Sequence, residues 1–439
     1  MMKLLPYLEL VLQHSRKIIM TSQMLSGVNV VEIAEVWAGP FGCSLMGDLG
    51  ANVIKVESYP RKSETRNAGD PRIDPRVAEG EGPIYERINT HHHGNRNKQN
   101  IALDIRTTEG REVMSRLIKW GDVLVESFSA GTINRLGYGW DSVKEINEKI
   151  TMLSLAGWGQ EGPYLGRIMF GVGFDAMAGH SLIRGYQEDT PEDMIPILHS
   201  DATVPLTWIV AVIGSLMQRE KTGLGSYIDL AQIEDIAWQF PGIISEWSMN
   251  NRIPKPQANS DPCIVPHECY QSAGEDRWIN IAAETDLQWQ SLANFMEHDE
   301  WSELGHPWSS IVGRIKDRKL IDDKINEFTK QYDPFELADQ LQEKGIIAAP
   351  VLAPPDPLMS PQLHARNWFQ IIDHPYIPER LLGGFLWKVQ PDMPSWDKRA
   401  ALVGENNNDI LMQLGFSSTD IAAMKEKDII GDTYVEERT

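Results

Sequence analysis

The most apolar helix-length stretch of the chain is ATVPLTWIVAVIGSLM, residues 202–217, preceded by His199, Ser200 and Asp201 and followed by Gln218, Arg219, Glu220 and Lys221. It falls short of the roughly 20 apolar residues of a membrane span, so it predicts a helix buried in a large core. Ser200 or Asp201 is expected to cap it, Pro205 to be tolerated within its first turn, and Gly223 to stop it. Upstream the pattern reads as strand 28–34, a turn at Ala38, Gly39 and Pro40, helix 41–49 and strand 52–57, a βαβ unit. A second round gives strand 100–105, helix 108–120, strand 122–126, helix 140–147 and strand 150–155, and beyond the apolar helix come strand 226–230 and helix 232–249. These elements predict an α/β, doubly wound, Rossmann-like large domain over 25–250.

The texture then changes. Residues 252–266 hold Pro254, Pro256, Pro262 and Pro266 and read as a linker, and a hairpin over 268–283 and helices over 287–296, 320–332 and 334–344 follow. A smaller α+β domain is expected over 251–345. Residues 346–439 are read as a return to the large domain, with a strand at 346–352 and helices over 408–414 and 418–425. Residues 1–24 form an N-terminal extension whose apolar stretch is broken by Pro6, Glu9, His14 and Arg16, unlike a secretory signal.

A length of 439 residues with 42% hydrophobic and 23% charged positions suits two or three globular domains. The net charge of −21 counts against nucleic acid or an anionic membrane as partner, so an anionic ligand needs a local basic cluster. Arg61, Arg66, Arg96, Lys98, Arg106 and Arg135 offer one: they flank the second to fourth strands, and most are expected along one rim that suits a polyphosphate. Scattered surface charge is the alternative. Three cysteines, Cys43, Cys263 and Cys269, make no disulfide framework, which points to the cytoplasm.

Other motifs carry less. WAGPFG lacks the glycine spacing of a dinucleotide site, and Gly171, Gly173 and Ala176 match it without a preceding strand. His91, His92 and His93 read as a solvated loop, and Cys263, His267 and Cys269 lack a fourth ligand, so no metal is expected. Asp201 stays open between a cap and a reagent. A helix start is expected to keep it ionised, and an apolar wall to strip its water and sharpen it as a nucleophile.

Read together, AEVWAGPFGCSLMGDLGANVIKVE, NRNKQNIALDIRTTEGREV, DVLVESFSAGTINRLGYGWDSVKEINEKITMLSLAGWGQEGPY, SDATVPLTWIVAVIGSLMQREKTGLGSYIDLAQIED and GENNNDILMQLGF resemble the class III coenzyme A transferases, which include formyl-CoA and carnitine CoA-transferases. The resemblance spans about Leu25 to Ile430 in the family's order. It implies that Asp201, counted back from Lys221, Thr222 and Gly223, is the covalent nucleophile, with Asp175 as the nearest competing acid. It also implies a coenzyme site lined by Trp37, Ala38, Leu103, Asp104, Ile105, Arg106, Ser127, Phe128, Arg135 and Arg167. Coenzyme A would be a substrate rather than a resident cofactor, passing from an acyl-CoA donor to a carboxylic acid acceptor through an aspartyl anhydride and an aspartyl-CoA thioester. The implied assembly is an interlocked homodimer, with a hetero-oligomer as alternative. Trp37 and Ser127 depart from the amides of formyl-CoA transferase, and that enzyme's glycine-rich lid is absent, so formate and oxalate are not implied as substrates. An acyl-CoA racemase or isomerase of the same fold, or a non-catalytic subunit, are the runner-up readings; Phe174 stands where a racemase carries its histidine.

Overall fold

The computed structural model describes residues 23–67, 74, 76–193, 198–390, 394 and 396–435. The extension read over 1–24 therefore lies, up to residue 22, outside the described residues. Two compact units are present. One takes the described residues within Met1–His180, Ile195–Asn250 and Gln362–Thr439, and the other Ser181–Met194 and Asn251–Pro361.

In the first unit β1 (Asn29–Glu32), β2 (Asn52–Ser58), β3 (Lys98–Leu103), β4 (Val123–Glu126), β5 (Thr151–Ala156) and β6 (Tyr227–Ala231) form one parallel sheet in the order β3-β2-β1-β4-β5-β6. Side chains alternate across it, so Val30, Val53 and Val123 enter one core while Val31, Ile54 and Leu124 enter the other. The helices that matter below are α1 (Ala38–Asp48), α2 (Thr108–Trp120), α3 (Gly171–Met177), α4 (His199–Thr222), α5 (Gln232–Gln239) and α6 (Pro241–Asn250). α1 and α4 cover the first face; α2 and the helices Asn407–Gln413 and Ser418–Glu426 cover the second. The strands from β1 to β5 are therefore covered on both faces, as a parallel sheet requires, although charged residues such as Glu32, Lys55 and Glu57 are buried among the apolar ones.

Three local expectations need correction. The AGP turn is the first turn of α1, because proline is accepted there, and Gly39 serves contact: a Cβ on it would stand 2.5 Å from that of Ala34. A Cβ built on Gly42 would stand 2.0 Å from the ring of Trp208, which is fully buried and donates its indole N–H to the carbonyl of Ala38 at 3.3 Å. The helix expected over 232–249 is two helices that break at Phe240, since Pro241 lacks an N–H and pushes its predecessor out of helical geometry.

The third correction concerns α4. It begins at His199, with Leu198 at the N-cap position and no capping hydrogen bond from that side chain, so neither Ser200 nor Asp201 is the cap. Both lie inside the first turn. Pro205 stands beyond that turn and removes the hydrogen bond that would engage the backbone carbonyl of Asp201. Gly223 does stop the helix, at φ 75°.

The last described residues close the β3 edge. The carbonyl of Ile429 accepts from the amide of Asp104 at 2.8 Å, and Ile430 bridges Leu103 in antiparallel fashion. Tyr434 is fully buried, donates its hydroxyl to Glu57 at 2.8 Å and stacks on Tyr59. The same unit holds a hairpin of β10 (Phe369–His374) and β11 (Ile377–Gly383) that the sequence reading had left out.

The second unit contains β7 (His267–Gln271), β8 (Trp278–Ala282) and β9 (Ile347–Pro350), antiparallel in the order β7-β8-β9, over a core with Trp289, Trp301 and Trp308. The strand read over 346–352 as part of the return segment thus pairs with β8, which carries this unit on to Pro361. The described residues 181–193, read into the large domain, also belong to it. Its helix Asp286–Phe295 opens with a reciprocal capping box between Thr285 and Gln288. Thr285→Ala is expected to cost about 1 kcal/mol, read as a lower denaturation midpoint of this unit.

Candidate active site

In an open parallel sheet the usual ligand crevice lies beyond the carboxyl ends of the strands, where the order reverses, here between β1 and β4. A cavity of about 280 Å³ occupies that position. Its walls are Ile33 and Glu35 beyond β1, residues 56–59 and Arg61 along and beyond β2, Leu103 and the following Asp104, Ile105 and Arg106, Phe128 beyond β4, and Leu136. Five of the ten coenzyme residues implied by resemblance line it: Leu103, Asp104, Ile105, Arg106 and Phe128.

The other five stand elsewhere. Ser127 donates to the carbonyl of Glu35 at 3.1 Å and accepts from its amide at 2.9 Å, tying the end of β4 to that of β1. Trp37 precedes α1, half-buried and 6.5 Å from the ring of Phe41, and Ala38 is buried beneath Trp208. Arg135 is exposed and donates to Thr132, and Arg167 is exposed with its guanidinium over the ring of Tyr164. Sequence reasoning missed Ile33, Glu35 and residues 56–59. The available signal was that each immediately follows or ends a strand of the same βαβ unit.

The basic rim is smaller than expected. Arg66 is fully buried between Glu57 and Glu86, Arg96 is held by Asp48 at 2.5 Å, and Lys98 by Glu32 at 2.6 Å. Arg96 and Lys98 also belong to the amino end of β3, on the wrong side of the sheet. Burial, with the nearby charge of Lys55 and against the pull of Glu32, brings the Lys98 ammonium down to about 8. Arg61, Arg106 and Arg135 remain exposed, and the first two line the cavity. Arg106 pairs with Asp104 at 2.8 Å while its side chain stays 67% accessible. Glu35 lies deeper; burial pushes its carboxyl up, although Ser63 donates to it.

Asp201 lies in the first turn of α4 with 8% of its surface exposed. A Cβ on Gly171, the first residue of α3, would stand 2.4 Å from its Oδ2, so only glycine lets the carboxylate rest there. α3 packs beyond β5: Gly157, next after that strand, leaves room for the ring of Phe174. Asp201 therefore lies toward the same carboxyl edge as the cavity. Burial first, and then the charge of Asp175, push its carboxyl up to about 6. This reverses the expectation that a helix start would hold it firmly ionised; loss of water outweighs the helix end. At neutral pH it is an ionised but unusually basic carboxylate, a suitable nucleophile.

The remaining motifs take structural places. Gly171 opens α3 against Asp201, and Gly173 makes room for the side chain of Met169. His91 is buried within the helix Asn89–Gly94 and contacts the Thr65 hydroxyl at 2.9 Å, so the histidine run is not a solvated loop. Cys263 is exposed, and His267 is engaged by the carbonyl of Asn259 at 2.7 Å. Among the described residues no cluster of three or more His, Cys, Asp or Glu side chains could hold a metal ion.

A doubly wound sheet with a cleft at its switch point and a basic, buried carboxylate toward the same edge is the frame of an α/β enzyme. Residues 25–406 match CoA-transferase family III, and the chain belongs to that family. It is 28% identical over 396 residues to the succinyl-CoA:mesaconate CoA-transferase of Haloarcula hispanica, covering 89% of this chain and 96% of that one. With the succinyl-CoA–D-citramalate CoA-transferase of Chloroflexus aurantiacus the identity is 27% over 407 residues, covering 92% and 98%. A solved CAIB/BAIF family protein from Brucella suis superposes with a TM-score of 0.79 at 27% identity, over 90% of this chain and all of that one.

Proposed function

We propose that this family III enzyme moves coenzyme A from succinyl-CoA or a similar acyl-CoA to a small dicarboxylic acid, with Asp201 as covalent nucleophile. The observation that carries the reading is Asp201 itself: buried, shaped into place by Gly171 and more basic than an ordinary aspartate. The names of the relatives support the donor and acceptor classes.

An Asp201 oxygen attacks the thioester carbonyl, the C–S bond breaks, and CoA thiolate leaves a mixed anhydride. The thiolate then attacks the aspartyl carbonyl, releasing the donor acid and giving an aspartyl-CoA thioester. The acceptor carboxylate reverses both steps and departs as its own CoA ester, with Asp201 regenerated. Each step exchanges one acyl bond for another, so no nucleotide triphosphate is consumed. What the protein must do is exclude water from the anhydride, and the low exposure of Asp201 serves that end.

The cavity beyond β1 to β4 would take the nucleotide end of the coenzyme, with Arg61 and Arg106 toward its phosphates. Arg106→Ala is expected to raise KM for the acyl-CoA about tenfold with kcat nearly unchanged, measured by steady-state kinetics. α6, with none of its residues buried, and the exposed Trp238, Trp247 and Met249 support a dimer, interlocked as in the family, with a second copy as the simplest occupant and a different subunit as the alternative. The free cysteines support a cytoplasmic setting.

The deciding experiment incubates the protein with succinyl-CoA and a panel of carboxylic acids, traps the enzyme adduct with hydroxylamine or borohydride, and maps the modified peptide. Modification at Asp201 is the expected result. Transfer that survives Asp201→Ala would sink the mechanism, and proton exchange at the α-carbon without an acceptor acid would make the enzyme a racemase.

A further inference from the structure

The cap that α4 lacks in its own sequence comes from α3. Asp175 is fully buried, and its Oδ2 accepts from the amide of His199, the first residue of α4, at 3.3 Å. Its Oδ1 faces Nδ1 of His180 at 3.7 Å. The His180 ring stacks on Phe240 at 4.3 Å and lies 5.3 Å from that of His199. Nε2 of His199 meets the Gln239 oxygen at 2.8 Å, while the Gln239 amide nitrogen donates to Asp235 at 2.7 Å and to Thr203 at 2.9 Å. The titratable groups around Asp175 are thus Asp201 and His199 from α4, His180 beyond α3 and, one hydrogen-bond link further, Asp235 from α5.

The charge of buried Asp175 raises the proton affinity of Asp201, and a second buried carboxylate costs stability. A cap alone does not need it, because asparagine or serine would accept the same amide hydrogen without the charge. Acyl exchange supplies a reason. A carboxylate that attacks a thioester gains from basicity, and a second negative charge behind it provides that in a site with little water. Geometry and charge come from one short segment, since Gly171 seats the Asp201 oxygen and Asp175, one helical turn on, faces the backbone that carries it.

Resting on the reading of Asp201 as the nucleophile, we propose that Asp175 is a positioning residue: it fixes the first turn of α4 and keeps the Asp201 carboxylate basic enough to attack a thioester, with His180 facing its far oxygen.

Asp175→Asn separates the two parts, because asparagine can still accept from His199 but carries no charge. The acid limb of kcat/KM for succinyl-CoA is expected to move about one unit to lower pH. At pH 8 kcat should fall about threefold with KM for the donor unchanged, and Asp175→Glu should restore the acid limb. A residue that merely stabilised the fold would lower the rate at every pH and leave the limb in place, and that outcome overturns the proposal. Hydroxylamine trapping runs alongside: an adduct still on Asp201 with an unmoved limb refutes Asp175, whereas an adduct elsewhere refutes the nucleophile. Should Asp175→Asn fail to fold, Asp175→Ser, smaller and equally uncharged, undergoes the same pH titration and is judged by the same limb.

Discussion

Asp201→Asn will lose CoA transfer on the order of 10⁴-fold or more in kcat and at the same time fold more stably than the parent at pH 8. The first half follows from the proposed role, since removing a covalent nucleophile leaves only binding and orientation. The second follows from its surroundings, where burial and Asp175 push the folded-state carboxyl up to about 6. For such a group the contribution to stability is present below the unfolded value and is lost as pH rises through the folded one. At pH 8 the charged carboxylate therefore costs about 3 kcal/mol, and asparagine removes that cost. The gain should shrink between pH 6 and 4 and vanish below. Urea denaturation of both proteins across that range measures it. The same titration sets the parent's acid limb near pH 6, because the protonated carboxyl cannot attack.

Arg66→Ala will destabilise the first unit by about 3–5 kcal/mol without touching Asp201. Its guanidinium is fully buried, meets Glu57 on two sides, reaches Glu86 at 2.6 Å and donates to the carbonyl of Ala401 at 3.2 Å. Burial pushes the Glu57 carboxyl up, but Arg66 outweighs it, aided by Lys55 and the hydroxyl of Tyr434, and the net direction is downward. Without Arg66 the largest downward pull is gone and Glu57 is left as a buried carboxylate short of counter-charge. The loss should then be larger at pH 8 than at pH 5, where the abandoned carboxyls can take up protons. A destabilisation equal at both pH values would mean that packing, not charge, is what Arg66 provides. Since Glu57 also lines the cavity, a rise in KM for acyl-CoA should accompany the change.

The six parallel strands were legible because each is a short, largely apolar run bounded by turns and helices, and β1, β2 and β4 are rich in valine and isoleucine. Helix starts were less legible. Ala38, Gly39 and Pro40 carry turn chemistry, yet Gly42 just beyond them answers to a tryptophan 166 residues downstream, Trp208, which no local pattern encodes. Asp201 stood out by its place ahead of the apolar run, and a role for it came only through the family resemblance. Its surroundings were not legible, because the residue that caps its helix lies on α3 and the glycine that leaves room for its carboxylate opens that same helix. The basic rim failed for a related reason: sequence marks a cation but not the carboxylate that will enclose it, and Glu57, Glu32 and Asp48 took Arg66, Lys98 and Arg96 inside.

The closure of the β3 edge by residues 429–434 bears on how the molecule comes into being. Every wall of the cavity comes from residues 33–136, available early in synthesis, but Glu57 waits for the hydroxyl of Tyr434, and Leu103 and Asp104 for Ile430 and Ile429. The family match ends at residue 406, short of all three partners. A nascent chain that has emerged only as far as β6 thus holds an open strand edge at β3 and a Glu57 that still lacks one of its donors, so the cavity wall is completed late in synthesis, after residue 434 has emerged.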